Sequence, residues 1–390
     1  MGSAALLASV ADRVGARHVA SVADVGCGVG TLGLAAAARW GCPAHMFDRD
    51  ALALAVSVAN ANANSLAVHL HGALGSRSVV ATAAIGPSSG YDLVLCNLPA
   101  KAGAPVRGAI IHDCASMLAP GGVLALVVVA PLHGETEATL AAMRGELWQR
   151  REPGHAIFHH RADVGDDRGR DRDAAEQREP FAAYVRADGT RTLAGASVPV
   201  RSMFGLPDFD TSSYLTQLLA SLLAARPAAE WANWRRMWLW NPGQGELASW
   251  LVDRRRQQAP NTAPQVSVAS RDALQIHATE TNLRARGDLL KVTVHAPSPS
   301  SAAHELASAV EHADKADLAV VPLEQDVART EGERLLVTLA GSLAPGGHLV
   351  IGGKAGLVGP LLQRRATAGL SLVKQMRRKG QAAAVCVARA

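Results

Sequence analysis

Three groups of residues in the first hundred positions could do chemistry together. The run Asp24-Val-Gly-Cys-Gly-Val-Gly30 places glycines at 26, 28 and 30. Glycines at such positions let the backbone turn tightly and approach a ligand, and a helix starting behind the turn offers free N–H groups. Asp48 stands 24 positions after Asp24, at the end of an apolar run, with Arg49 beside it. An acid at the tip of a second strand can accept both hydroxyl protons of a ribose. Asn97, in Asn97-Leu-Pro99, offers a side-chain amide and nearby carbonyls that could hold an amino or ring nitrogen for reaction. A plain turn-forming Asn-x-Pro is the other reading of Asn97 and Pro99. Asp50 reads as a helix N-cap.

The elements that must position these residues alternate between strand and helix. Ser21–Val25 is a short strand, followed by Ala-rich helical sequence from Leu32 to Trp40. Ala44–Phe47 is a second strand leading to a helix over Ala51–Asn64. Tyr91–Cys96 is a strand that runs straight into Asn97, and a helix over Ala104–Met117 follows. The turn Leu118-Ala-Pro-Gly-Gly122 then opens the apolar strand Val123–Ala130. This alternation predicts a parallel α/β sheet, whose ligands lie outside the carboxyl ends of the strands.

The ordered set Asp24-Val-Gly-Cys-Gly-Val-Gly30, Asp48, Asn97-Leu-Pro99 and Leu118-Ala-Pro-Gly-Gly122 resembles the motifs of class I AdoMet-dependent methyltransferases. Within them it is similar to the small-domain group that includes the ribosomal-RNA guanine-N2 methyltransferases. The resemblance implies S-adenosyl-L-methionine as cofactor: Asp24, Gly26, Gly28 and Gly30 at its methionine end, Asp48 on the ribose, Arg49 in the same turn, and Asn97 touching both cofactor and substrate. It also implies Asn97 and Pro99 as the catalytic pair. The group's motif is Asn-Pro-Pro-aromatic, whereas here Leu98 replaces the first proline and Ala100 the aromatic, removing a surface on which a flipped base could stack. Asn-Leu-Pro-Ala is similar to the motif of tRNA guanine-N1 methyltransferases.

The second half repeats the first. Ser270-Arg-Asp-Ala-Leu274 matches Asp48-Arg-Asp-Ala-Leu52, Asn282 lines up with Asn60, and Ala316–Val321 echoes Tyr91–Cys96. Leu343-Ala-Pro-Gly-Gly347 repeats Leu118–Gly122, and Leu218–Ser221 echoes Leu6–Ser9. Trp240-Asn-Pro-Gly-Gln-Gly245 falls where the first glycine run stands, which reads Asn241 as the counterpart of Asp24, Ser270 of Asp48 and Pro322 of Asn97. The expected fold is therefore α/β: two tandem Rossmann-like class I methyltransferase domains, each with a mostly parallel seven-stranded sheet, the second degenerate. The expected boundaries are 1–155 for the AdoMet-binding domain, 156–190 for a charged linker or loop, and 191–390 for the degenerate copy. In the ribosomal-RNA guanine-N2 enzymes the active copy is the second; here it is the first.

Composition fits this architecture. Hydrophobic residues make up 48% of the 390 and aromatics only 4%, as Val/Leu strands under Ala-rich helices require. The formal charge of +5 permits an anionic partner such as RNA without demanding one. The five cysteines form no C-x-x-C pair, so reduced thiols in a cytoplasmic protein are expected. The longest apolar run is strand-sized, so no membrane association is expected, and no signal peptide is evident. No residues stand at metal-ligand spacing, His159 and His160 included. Trp231, Trp234, Trp238 and Trp240 beside Arg235 and Arg236 could stack bases or pack a core. Arg364, Arg365, Lys374, Arg377, Arg378 and Lys379 could face phosphates or form a solvated helix face. Three functions remain open at this point: an N-methyltransferase acting on RNA, ribosomal-RNA guanine above all; a methyltransferase for a small molecule or protein side chain; and a non-catalytic AdoMet-binding protein. The oligomeric state is not legible.

Overall fold

The computed structural model describes residues 2–14, 18–72, 87, 89–163, 181–208, 210–260, 262–286, 291–295 (backbone), 315–323 and 336–389. The chain divides into two compact units, Met1–Val185 and Arg186–Ala390.

In the first unit α1 (Gly2–Val14) leads to β1 (Val22–Val25), α2 (Thr31–Trp40), β2 (Ala44–Asp48), α3 (Ala51–Ala63), β3 (Val68–Gly72) and β4 (Tyr91–Asn97). There follow α4 (Ala104–Ser116), β5 (Leu118–Val129), α5 (His133–Ala141), β6 (Gly145–Glu152) and β7 (His155–Ala162). The seven strands lie in the order β3-β2-β1-β4-β5-β7-β6. The first five run parallel, and β7 is antiparallel to both of its neighbours. β1 is buried along its whole length, which is why, Asp24 apart, its residues are apolar without alternation. Leu6, Val10, Val22, Met46, Leu93, Leu95, Val127 and Ile157 belong to one core. Helix α2 sits close on that sheet because Gly33 has no side chain: a Cβ there would lie 2.6 Å from the Met46 sulfur.

Two sequence readings change. Leu118–Gly122 is not a free turn but the bulged start of β5, which pairs Tyr91 with Leu118 and then Leu93 with Val123. Gly121 takes φ +70°, and a Cβ on Gly122 would meet the Tyr91 carbonyl at 2.6 Å. The charged segment also begins later than residue 156, because 156–162 lie in β7 and pair with β5 and β6. Arg161 near its end hides a strand otherwise built on the buried run Ala156-Ile-Phe158. Residues 164–180 lie outside the described residues.

The second unit opens with the hairpin β8 (Val185–Leu193) and β9 (Ala196–Met203). After it come α6 (Tyr214–Ala224), α7 (Ala228–Asn233), β10 (Arg236–Trp240), α8 (Glu246–Gln258), β11 (Gln265–Ala269), α9 (Ala273–Arg284) and β12 (Lys291–His295). β13 (Ala316–Pro322), β14 (Leu343–Lys354), α10 (Ala355–Gln363), β15 (Leu370–Arg378) and β16 (Gln381–Ala388) complete it. Its sheet order, β12-β11-β10-β13-β14-β16-β15, repeats the order of the first sheet strand for strand. Trp231, Trp234 and Trp250 are buried together in its core, so the tryptophan cluster packs rather than stacks ligands. Residues 370–378 form the edge strand β15, not a helix face. Among the described residues no helix is long and apolar enough to cross a membrane.

Candidate functional site

In the first sheet the chain runs from β1 outward through β2 to β3, then returns to the other side of β1 for β4 and β5. The crevice where strand order reverses, at the carboxyl ends, is where open α/β sheets bind ligands. Val25, the last residue of β1, is level with Phe47 on one side and Cys96 on the other. Asp48 and Asn97 thus each stand one residue beyond that level and flank the glycine turn. The fold brings the sequence-predicted residues to one edge.

The turn itself is held by backbone bonds: Gly26 and Cys27 both donate to the Phe47 carbonyl, and Gly30 donates to that of Cys27. Gly26, Gly28 and Gly30 all have positive φ (72°, 54° and 85°). A Cβ on Gly26 or Gly28 would meet nothing within 4 Å, so conformation rather than crowding requires glycine there, and space is left above the turn. Gly30 caps α2 without any side-chain bond, so the helix N-terminus keeps donors available.

Asp24 is 1% exposed. Its Oδ2 accepts the Gly33 N–H at 2.7 Å, and its Oδ1 has no hydrogen-bond partner among the described residues. Burial pushes its carboxyl up to about 7, against the Gly33 hydrogen bond and with help from the Asp48 charge. Asp48 binds the loop: Oδ2 accepts the Gly28 N–H at 3.0 Å and Oδ1 the Asp50 N–H at 2.9 Å. Its carboxyl is also raised by burial, against those two bonds and the Arg49 charge. Asp50 is the N-cap of α3, accepting the Leu52 N–H.

Asn97 is exposed at the end of β4, and its Nδ2 donates to Ser3 Oγ at 3.3 Å. Leu98 is buried and donates its N–H to the Val127 carbonyl, which anchors the turn to β5. Pro99 precedes a short 3-10 turn over Ala100–Ala102. Three contributors had no signal in the sequence, and a fourth, Asn60, showed only as the repeat partner of Asn282. Ser57 Oγ donates to the Gly28 carbonyl and Asn60 Nδ2 to the Val29 carbonyl, so α3 braces the glycine turn. Gly33 supplies the Asp24 donor. The buried Arg107 grips Glu135 of α5 with Nε and Nη2 (2.8 and 2.6 Å) and gives Nη1 to the Ala100 carbonyl at 2.9 Å. That guanidinium ties the end of the Asn97 turn to α5. His159 is accounted for structurally, with Nε2 2.9 Å from Ser9 Oγ. Among the described residues no group of three His, Cys, Asp or Glu side chains is arranged to hold a metal ion.

Residues 1–151 match the family described as methyltransferase small domain. The first unit is a methyltransferase small domain. No curated protein matches the chain. Among solved structures, the 16S rRNA guanine-N2 methyltransferase RsmC of T. thermophilus, in complex with AdoMet and guanosine, is similar at 18% identity and a TM-score of 0.61. That likeness spans 95% of this chain and 88% of the other, and so includes the fold of both units. An O-methyltransferase family protein from Burkholderia thailandensis is 16% identical with a TM-score of 0.35, over 42% of this chain and 57% of that one. A ribosomal protein L11 methylase from Lactobacillus delbrueckii subsp. bulgaricus is 20% identical with a TM-score of 0.34, over 41% and 78%.

The corresponding edge of the second sheet differs from that of the methyltransferase domain. Asn241 donates its N–H to Ala269, as Gly26 does to Phe47, so Asn241 occupies the Gly26 position. The reading of Asn241 as the counterpart of Asp24 is corrected: two places earlier stands Leu239, a buried apolar side chain. Gly243 and Gly245 keep positive φ (60° and 79°). Ser270, just past Ala269 as Asp48 is past Phe47, donates to Asn241 Oδ1 at 2.9 Å. Pro322 ends β13 where Asn97 ends β4, and Leu323 repeats the anchor of Leu98 by donating to Gly352. The buried Gln244 binds the Met203 N–H and the carbonyls of Met203 and Pro207, laying the segment after β9 against this loop.

Proposed function

We propose that this protein is an S-adenosyl-L-methionine-dependent N-methyltransferase acting on RNA, with ribosomal-RNA guanine as its target. The observation that carries the reading is the set at one edge of the first sheet. A buried carboxylate with an unpartnered oxygen, a glycine turn with open space above it, and Asp48 and Asn97 lie on either side of β1. A cofactor with an ammonium at one end and a ribose in the middle fits that set. Asp24 serves the amino-acid end and Gly26, Gly28 and Gly30 shape the loop around it. Asp48 accepts from the ribose, with Arg49 at its flank. AdoMet brings a methyl group on a sulfonium, and its transfer is an in-line displacement. The protein's work is therefore orientation of the nucleophile. Asn97 already gives its amide N–H to Ser3, which leaves the amide oxygen to accept from an exocyclic amino group as the methyl arrives. Pro99 and the buried Leu98 fix the turn that carries it.

The RNA target is supported by the shared fold with a ribosomal-RNA guanine-N2 methyltransferase over both units. The second unit is read as a degenerate copy, from about residue 191, that keeps the sheet and has lost the acids. One observation favours a different substrate, a small molecule or protein side chain: Ala100 stands where the resembling group has an aromatic ring. A cytoplasmic site fits either substrate. The deciding experiment incubates the protein with methyl-labelled AdoMet and fractionated lysate. Label in ribosomal RNA, released as N2-methylguanosine on digestion, is the expected result; label confined to protein or small molecules would refute the RNA reading.

A further inference from the structure

The segment from residue 335 to the end contains eight Lys and Arg residues and no Asp or Glu. The fold concentrates half of them on one hairpin. Lys374, Arg377 and Arg378 of β15 and Lys379 of the following turn are all exposed. Among the described residues no carboxylate pairs with Lys374, Arg377 or Arg378. The hairpin turns through Lys379 and Gly380, both at positive φ (49° and 77°). Glycine, asparagine and aspartate are the residues favoured in such a turn, so a lysine there accepts backbone strain to put its ammonium at the tip. Gln381 pairs with Lys354 at the end of β14 and with Arg378 at the end of β15. β14 runs parallel to β13, so the tip stands at the carboxyl edge of the second sheet.

A second element meets it there. Tyr214, the first residue of α6, is 58% exposed. Lys379 Nζ donates to the Tyr214 hydroxyl at 2.8 Å and lies 4.1 Å from its ring centroid. Lys379, with Arg378 adding to the field, lowers the Tyr214 phenol from its ordinary range. Charged side chains on an edge strand can serve merely to block strand-to-strand aggregation. That role needs no large aromatic ring held in water beside the cations. A flat ring with cations at its border is the pattern that stacks a base and tracks the phosphates on either side. Leu372 and Val373, 37% and 42% exposed, are the large apolar side chains exposed on β15 beside these cations, too little to anchor in a lipid surface.

We propose that the β15–β16 hairpin and Tyr214 form a docking surface for single-stranded RNA, with an unpaired base on the ring and phosphates along Lys374, Arg378 and Lys379; Arg377 alternates onto the other face of β15, beside Gly359 of α10. The choice of RNA over another polyanion rests on the reading given under Proposed function. The test is fluorescence anisotropy of the full-length protein with a labelled, unstructured RNA oligonucleotide over a range of salt concentrations. Tyr214→Ala should weaken binding about tenfold, and Tyr214→Phe should bind nearly as wild type. The double variant Arg378→Gln/Lys379→Gln should lower the slope of log affinity against log salt by about 1.4. AdoMet affinity, measured on the same preparations, should be unchanged in every variant and serves as the check on folding. Wild-type RNA affinity retained in all variants, or absent from the wild type at low salt, would overturn the docking surface. In either case, label in RNA from methyl-labelled AdoMet would still uphold the methyltransferase reading. Equal binding to anionic phospholipid vesicles, lost in the same variants, would overturn RNA as the partner.

Discussion

The Asp48 carboxylate accepts the Gly28 N–H at 3.0 Å, whereas Gly243, at the same place in the second sheet's loop, gives its N–H to the Gln275 side chain at 2.9 Å. One turn is thus held by a charged group at the ligand-binding edge, the other by a neutral side chain from the helix behind. The carboxylate has a further lone pair on each oxygen, so it can brace the turn and still accept from hydroxyls.

Asp48→Ala should therefore lose both the brace and the ribose acceptor. Charge-assisted hydrogen bonds contribute about 1.5–3 kcal/mol each, so AdoMet affinity should fall at least about tenfold. Isothermal titration calorimetry giving the wild-type dissociation constant would remove Asp48 from the site.

Asn97→Ala should separate turnover from cofactor binding. Its side chain is exposed and, among the described residues, bonds to Ser3 alone, so the fold and the glycine turn stand without it. Methyl transfer should drop by about 10²-fold, the scale of a lost orienting group, with AdoMet affinity nearly intact. A variant that transfers at the wild-type rate would show that another group orients the nucleophile.

Asp24 predicts a pH dependence with a definite sign. Its carboxyl is raised from 3.8 to about 7 in the folded state, chiefly by burial. Between those values the folded protein holds a proton that the unfolded chain has released. The stability Asp24 contributes is complete below about 4 and is lost as the pH rises toward 7. In Asp24→Asn that part of the decline should vanish from the pH profile of thermal melting without ligand. An ammonium placed at Oδ1 favours the ionised form, so AdoMet binding should release a proton near pH 7. Calorimetry in buffers of different ionisation enthalpy reads that proton, and its absence in the wild type would place the cation elsewhere.

Much of this site was legible in the sequence because its positions are set by local rules. Gly26, Gly28 and Gly30 need positive φ, Asp48 and Asn97 end strands, and Asp50 caps a helix. Each is announced by its neighbours in the chain. What escaped was contact between distant positions. The bond from Arg107 to Glu135 joins residues 28 apart, and Ser57 reaches Gly28 across 29. No periodicity marks either. The Asn241 reading failed for a related reason: the strand before it lacks an acid, so only the pairing of Asn241 with Ala269 fixes the register. β7 was missed because Arg161 near its end belongs, by composition, to the charged segment beyond it.

The Arg107 guanidinium, with its side chain 9% exposed, is paired with a Glu135 that is 36% exposed. Removing the cation leaves Glu135 and the Ala100 carbonyl without their donor. Breaking such a pair from one side costs about 2–4 kcal/mol, reduced here by the solvent that reaches Glu135. Arg107→Met should lower the melting temperature by about 4–16 °C, at about 2–4 °C per kcal/mol for a unit of this size. Arg107→Met/Glu135→Leu should recover part of that loss, and a double variant melting below the single one would contradict the pairing.

The number of cofactors per chain tests the second unit. Leu239 in place of Asp24 removes the buried acid, and Ser270 in place of Asp48 is uncharged and bonded to Asn241. The N–H of Gly243 is taken by Gln275, and Gln244 draws the segment at Met203 and Pro207 onto the loop. A ligand entering there would find no acid at the positions of Asp24 and Asp48, would meet a Glu246 already held by Ser212 and Arg191, and would have to break bonds the chain already makes. Each missing charge-assisted contact costs about a factor of ten, and losing several takes affinity out of the useful range. The fold persists regardless, because Trp231, Trp234, Trp250 and the apolar strands bury the same kind of core without a ligand. Calorimetric stoichiometry of the full chain should therefore be one AdoMet, abolished by Asp24→Ala/Asp48→Ala. A stoichiometry near two in the wild type, or residual tight binding in that double variant, would show that the second sheet still holds cofactor.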